Sequence, residues 1–320
     1  MNAIVQDRYG TADVLELEDI AEPVVGKDQV LLRVHAASAF IGDWHVMTGL
    51  PYLGRLAFGL RSPKPRTRGQ DVAGMIVAVG DGVSGFGPGD EVFGTCDGAF
   101  AQFATAGADR VWPKPANLTF EQAATVPSTG ATALQAVRDK AKVQPGQRVL
   151  IVGAAGGVGS FAVQIAKAFG AHVTGVCRTS KMDLVRELGA DEVIDYTVED
   201  YTRDGRRYDW ILDIAGNHSL RECRRALKPR GVYVLVGGPT GRILAALLLG
   251  PLISLAGNRK MGLQMGWKPF KQQDVAILRE LVEGGKIKPV IDRRYGLTEV
   301  PDALRYLESG EARGKIVITI

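Results

Sequence analysis

Cysteine is scarce in this 320-residue chain: Cys96, Cys177 and Cys223 stand far apart, and no two form a Cys-x-x-Cys pair. An odd, scattered count excludes a disulfide framework and a cysteine-built zinc lobe, and it suits a reducing cytoplasm. An excess of one charge is missing too. The chain has 39 Lys and Arg against 35 Asp and Glu, and a net of +4 is too diffuse to indicate a nucleic-acid partner. No long hydrophobic run is present. The most apolar stretch, 243–256, is broken by Gly250-Pro251, and a spanning helix needs about 20 residues. It predicts a buried or interface helix, with membrane-surface contact as the alternative and no membrane span. The first residues lack the basic start and apolar core of a signal peptide.

Glycine is what the chain has in plenty. Forty residues of 320, against a usual share of about 7%, are spread without period and punctuate many short elements. Apolar residues at 46% and charged residues at 23% are the balance of an ordinary globular protein, and the length suits about two domains.

The first third reads as strands and turns. Val30-Leu-Leu-Arg-Val-His-Ala36 alternates apolar and polar residues, 74–80 is a β-branched run between glycines, and Gly85-Phe-Gly-Pro-Gly-Asp90 is turn chemistry before another strand. The Pro- and Arg-rich segment 61–68 predicts an exposed loop. At Thr119 a possible capping box with Gln122 opens a helix. Strands at 148–153, 172–177, 191–195, 210–213 and 232–236 then alternate with helices at 157–169 and 181–188. Such alternation means a parallel sheet covered on both faces. Helices at 274–284 and 300–309 follow, with an extended segment at 288–295. The last strand, 315–320, needs a partner that the β-rich first third can supply, so the middle domain is expected to interrupt a discontinuous one.

Val149-Leu-Ile-Val-Gly-Ala-Ala-Gly-Gly-Val-Gly-Ser160 carries the strongest chemistry. It follows an apolar strand and opens a helix, the context of a dinucleotide fingerprint. Ala154 replaces the first glycine of Gly-x-Gly-x-x-Gly, while Gly156 allows close approach of the pyrophosphate and Gly159 allows helix and strand to pack. At the tip of the second strand, Arg178-Thr-Ser-Lys181 offers two cations and two hydroxyls where an NAD-selecting chain has an acid. A 2′-phosphate needs such groups, so NADPH is the expected cofactor; a solvated basic turn is the alternative.

Together with Gly69-Gln-Asp-Val-Ala-Gly74, Pro88-Gly-Asp-Glu-Val-Phe-Gly94, Pro127-Ser-Thr-Gly-Ala-Thr132, Leu188-Gly-Ala-Asp-Glu-Val-Ile-Asp-Tyr196 and Gly314-Lys-Ile-Val317, these motifs make the chain resemble the zinc-free, zeta-crystallin-like quinone oxidoreductase branch of the medium-chain dehydrogenase/reductase superfamily. The resemblance spans essentially the whole length. It implies an α/β fold: a Rossmann doubly wound sheet (121–265) inserted in a discontinuous GroES-like catalytic domain (1–120 plus 266–320). It further implies zinc-independent, NADPH-dependent reduction of quinones or α,β-unsaturated carbonyls, and a homodimer. Zinc-containing members have Gly-His-Glu where this chain has Gly69-Gln70-Asp71, and a cysteine at Ser38. An alcohol dehydrogenase or carbonyl reductase, and a non-catalytic NADPH-binding interaction protein, are the competing readings.

Residue by residue, the resemblance places Ala155, Gly156, Gly157 and Val158 along the pyrophosphate, and Arg178, Lys181 and Tyr196 around the 2′-phosphate. Asn217 and the turn at Gly237 match further cofactor positions. Tyr196 is otherwise a partly buried structural tyrosine, and Lys315 is either a further phosphate ligand or an exposed charge. Phe40 stands where relatives carry an asparagine that reaches the nicotinamide, so it either walls an apolar acceptor pocket or impairs the usual chemistry. Asp43, His45 and Tyr52 are candidate catalytic groups. His45 is a proton relay or a plain hydrogen-bonded histidine; Tyr52 is a donor to the acceptor oxygen or a core residue. Cys96 reads as structural.

Overall fold

A computed structural model describes residues 1–255, 258–263 and 271–320. In chain order its strands and helices are β1 (Asn2–Gln6), β2 (Leu15–Asp19), β3 (Gln29–Ala39), α1 (Ile41–Thr48), α2 (Arg55–Phe58), β4 (Asp71–Val79), β5 (Glu91–Thr95), β6 (Phe103–Gly107), β7 (Val111–Pro113), α3 (Phe120–Ala124) and α4 (Pro127–Gln135). There follow β8 (Arg148–Val152), α5 (Gly157–Ala168), β9 (His172–Cys177), α6 (Met182–Glu187), β10 (Glu192–Asp195), β11 (Tyr208–Asp213), α7 (Leu220–Ala226), β12 (Leu227–Leu235), α8 (Thr240–Leu255) and β13 (Lys260–Leu263). The chain ends with α9 (Gln272–Glu283), β14 (Ile291–Gly296), α10 (Val300–Glu308) and β15 (Lys315–Thr319). Contacts gather these into two compact units, Met1–Thr129 with Pro289–Ile320, and Gly130–Lys288. The expected boundary at 265/266 lies outside the described residues.

The discontinuous unit holds a seven-stranded sheet in the order β14-β15-β3-β4-β5-β7, with β6 also on β3. The last strand finds its partner in β3, antiparallel, with Val317 opposite Ser38. β3 alternates its burial over residues 29–36, because one face packs on the core of Ile4, Leu32, Val34, Val72, Ile76 and Ile318, and is buried on both faces over 36–39. Two helices stand where the sequence predicts strands and turns. α1 forms because the Asp43 carboxylate accepts the Phe40 N–H at 3.0 Å at its start, and Gly49, at φ 65°, ends it. The Thr119 capping box is present: its hydroxyl accepts from the Gln122 N–H, and the Gln122 side chain accepts from the Thr119 N–H.

The continuous unit is a six-stranded, all-parallel sheet in the order β10-β9-β8-β11-β12-β13. Numbered from β8, that is 3-2-1-4-5-6, the doubly wound dinucleotide-binding order. Residues 149–152 are at most 4% exposed, since a parallel strand between two helical layers buries both faces. On α5, Phe161, Val163, Ile165 and Ala166 are buried as their spacing predicts. β12 begins five residues before the predicted 232, and Arg230, at φ 63°, accompanies a register shift against β11.

The apolar run forms a helix as expected, but not a buried one. Leu244, Leu247, Leu248, Leu249, Leu252 and Leu255 are 43% to 85% exposed, and only Ala246 and Gly250 are buried along α8. Leucine lies around most of the helix circumference, and one sheet edge can cover only one side. Among the described residues no helix is long and apolar enough to cross a membrane.

Candidate functional site

Three loops meet at the C-terminal ends of β8, β11 and β12. Gly153, at φ 84°, turns the chain out of β8; a Cβ there would lie 3.4 Å from the Ile214 side chain just beyond β11. Gly216, also beyond β11, packs on the turn beyond β12, where a Cβ would meet the Gly237 carbonyl at 3.0 Å. Ala155, Gly156, Gly157, Val158, Asn217 and Gly237 therefore share one rim of the sheet, at the point where the strand order reverses. Two glycines do different jobs. A Cβ on Gly159 would sit 2.1 Å from the Gly153 carbonyl, so only glycine lets α5 approach β8. A Cβ on Gly156 would meet only that carbonyl, at 3.5 Å, so the space above Gly156 is open. Gly156 precedes α5 and supplies no side-chain cap, so the N–H groups of the first turn have no acceptor within the helix and gather partial positive charge. This cradle fits a pyrophosphate.

At the tips of β9 and β10, Arg178 and Tyr196 are exposed, and Arg178 donates its Nε–H to the Tyr196 hydroxyl at 3.2 Å. Lys181 follows in the short turn before α6. One residue here escapes the sequence reading. Asp195 on β10 lies opposite Cys177 of β9. Its carboxylate accepts the Thr179 hydroxyl, the Thr197 N–H at 2.9 Å and the Thr197 hydroxyl at 2.7 Å. Hence the Thr179 hydroxyl, expected to serve a phosphate, already donates its hydrogen to a carboxylate. The signal that could have found Asp195 is parallel pairing of the two strands, which brings their C-terminal residues side by side.

In the discontinuous unit a buried charge cluster underlies Phe40. Ser38 pairs with both Asp71 and Val317, and side chains directly opposite one another share a sheet face. Lys315, two residues before Val317, returns to that face. Its Nζ lies 4.0 Å from Asp71 Oδ2 and 5.6 Å from the Phe40 ring centroid. Asp71 Oδ1 accepts both the N–H and the hydroxyl of Ser128. Burial pushes Asp71 up to about 6, with Lys315 and Ser128 opposing. Burial lowers Lys315, with Asp71 and Asp43 opposing. Asp43 is pushed up to about 7, mainly by burial, against the Phe40 N–H bond.

Lys315 is therefore corrected. It is 2% exposed and faces carboxylates, so it is neither an exposed charge nor a cation presented to a phosphate. Of the other catalytic candidates of this unit, Asp43 interacts with this cluster, while His45 and Tyr52 occupy separate environments. Asp43 is buried and caps α1. His45 Nδ1 lies 2.7 Å from the Leu50 carbonyl, which can only accept, so Nδ1 carries the hydrogen and Nε2 is left an acceptor. Burial lowers the His45 pKa, with the Leu50 bond opposing, which keeps the ring neutral near pH 7. Tyr52 is 70% exposed, with the Arg55 guanidinium 4.8 Å from its ring centroid, and so is not a core residue. Cys96 is fully buried, and desolvation pushes its thiol well up, the environment of an inert thiol.

A family profile described as the alcohol dehydrogenase GroES-like domain matches residues 26–116, and one described as zinc-binding dehydrogenase matches 188–318. The mitochondrial NAD(P)H oxidoreductase RTN4IP1 of Mus musculus is 35% identical across 100% of this chain and 89% of its own length. The 2-methylene-furan-3-one reductase of Solanum lycopersicum is 34% identical across 97% of this chain and 76% of its own. Among solved structures, the quinone oxidoreductase from Coxiella burnetii superposes with a TM-score of 0.88 at 31% identity, covering 100% of this chain and 99% of that one.

Proposed function

Because this chain belongs to the quinone oxidoreductase branch of the medium-chain dehydrogenase/reductase superfamily, we propose that it is an oxidoreductase that uses NADPH, without zinc, to reduce quinones or α,β-unsaturated carbonyls. The observation that carries the coenzyme choice is the tip of β9, where Arg178 and Lys181 stand in place of a ribose-binding acid. Arginine can grip a 2′-phosphate through two parallel hydrogen bonds. The first turn of α5 binds the pyrophosphate, Gly156 lets it come close, and Tyr196 shares the adenosine end with Arg178. When bound, the reduced nicotinamide supplies the hydride.

The donor set argues against a catalytic zinc. Tetrahedral zinc takes Cys, His or carboxylate ligands, but Ser38 offers a hydroxyl and Gln70 an amide. The one carboxylate of the set, on Asp71, already faces a buried ammonium at 4.0 Å. Among the described residues no group of three His, Cys, Asp or Glu gathers as a metal site. Without a Lewis acid, a carbonyl that is already conjugated and electrophilic is the more accessible acceptor. The names of two relatives support that class: one is a quinone oxidoreductase, and a 2-methylene-furan-3-one is a conjugated enone. Phe40 gives the acceptor pocket an apolar wall, with its ring seated over Lys315.

The test is NADPH oxidation with a panel of quinones and enones in chelator-treated buffer. Turnover is expected, and coenzyme binding without turnover on any acceptor would refute the catalytic reading. Arg178→Glu is expected to raise the NADPH dissociation constant by at least about tenfold and to change NADH binding little. Equal effects on both coenzymes would contradict the 2′-phosphate role.

A further inference from the structure

An acid does stand at the adenosine end, but it comes from the third strand and not the second. The parallel register of β9 and β10 sets Asp195 opposite Cys177, the residue that precedes Arg178. Asp195 is 7% exposed. Its bonds to Thr179 and Thr197 hold the carboxyl below its ordinary range, so it is ionised near pH 7. Arg178 and Tyr196, joined at 3.2 Å, are the residues that follow this Cys177–Asp195 pair on the two strands. The two strand ends that carry the groups expected to hold a 2′-phosphate thus also carry a fixed anion, bonded to the Thr179 hydroxyl between Arg178 and Lys181 in sequence.

We propose that Asp195 is a specificity-determining residue whose carboxylate lowers the preference for a 2′-phosphorylated adenosine over one with a free 2′-hydroxyl. The inference rests on the reading of Arg178, Lys181 and Tyr196 as the 2′-phosphate site. Two effects act together. The carboxylate repels a phosphate dianion held by its neighbours, while a neutral ribose hydroxyl meets no such penalty. Thr179 is also removed as a phosphate donor, because its single hydroxyl hydrogen points at Asp195. Selection against a free 2′-hydroxyl is therefore incomplete, and NADH is left usable as a poorer coenzyme.

Calorimetric titration with adenosine 2′,5′-bisphosphate and with 5′-AMP tests this, since the two ligands differ only in the 2′-phosphate and need no turnover. Asp195→Asn keeps the side-chain volume and an oxygen for Thr197. It is expected to raise the bisphosphate-to-AMP affinity ratio by about three- to tenfold at low salt, through tighter bisphosphate binding, with less of an effect at high salt. Thr179→Val removes the hydroxyl but keeps the charge, and is expected to leave the ratio within about twofold. Should Asp195→Asn be recovered unfolded, Asp195→Ser, smaller and neutral, must move the ratio the same way. If the wild type prefers the bisphosphate but neutral Asp195 variants leave the ratio unchanged or lower it, the proposal is overturned and the 2′-phosphate reading stands. If the wild type shows no preference for the bisphosphate, that reading falls and this inference with it.

Discussion

Replacing Asp43 by asparagine should change how stability depends on pH. The carboxyl is 6% exposed, and its pKa is raised from 3.8 in an open chain to about 7 in the fold, chiefly by desolvation. At about 1.36 kcal/mol per pH unit, holding the ionised form in the folded state costs about 4 kcal/mol. A raised folded pKa fixes the sign. Below pH 3.8 the group is protonated in both states and exacts nothing; the penalty accumulates as pH rises from about 4 to 7 and is constant above. Between pH 5 and 7 alone the wild type should lose about 2 kcal/mol to this residue. Asparagine cannot ionise, and its carbonyl oxygen can still accept the Phe40 N–H. Its buried amide hydrogens lack a partner and take back about 1–2 kcal/mol at every pH. The signature is therefore the slope, not the absolute stability. Urea unfolding followed by tryptophan fluorescence from pH 4.5 to 8 measures it, with Trp44 adjacent to the substituted site. With a denaturant slope of about 3 kcal/mol per molar, the gap between variant and wild-type midpoints should widen by somewhat under about 1 M from pH 5 to 7. A gap that stays constant across that range would refute the argument that Asp43 is held against ionisation.

Two further predictions concern the cofactor unit and the capped helix. Gly159→Ala pushes a methyl group to 2.1 Å from a backbone carbonyl and should destabilise the fold by more than about 3 kcal/mol, read as a large drop in Tm. Gly156→Ala, with its nearest neighbour at 3.5 Å, should hold stability within about 1 kcal/mol yet weaken coenzyme binding in a fluorescence titration; a reversal of this pattern would mean the two glycines have been assigned the wrong jobs. Thr119→Ala removes the acceptor for the Gln122 N–H and should cost about 1 kcal/mol in chemical denaturation, with no change in coenzyme affinity.

What the sequence reveals follows from where each feature's physics resides. β8 and α5 were legible because continuous apolar residues and a glycine turn are local signals of a buried parallel strand feeding a helix. The pairing of β15 with the N-terminal strands was legible as a need, since a lone strand leaves its backbone groups unpaired. α1 was not legible. Its eight residues show no helical apolar spacing, and the helix is set by one carboxylate cap and one left-handed glycine. The exposure of the α8 leucines was hidden because composition cannot say which side of a helix finds a partner. Lys315 reads as an ordinary charge at a strand start; only flanking by β14 and β3 buries it beside Asp71. Asp195 was missed for a similar reason, because its partner Thr179 lies in another strand–turn segment and meets it only through the sheet.

The placement of β15 also bears on how the chain is made. One edge of β3 is filled in two instalments: β6 covers Gln29–Arg33, while residues 36–39 wait for β15. A ribosome must therefore finish the entire coenzyme-binding unit before Ala36-Ala-Ser-Ala39 can be sealed. Until then a bare ladder of small residues, with few bulky side chains to fix its alignment, lies open to any passing strand. A nascent or carboxyl-clipped polypeptide should thus be prone to aggregate at this seam, and a chaperone that shields it would matter more for this protein than for one whose sheets close in order of synthesis.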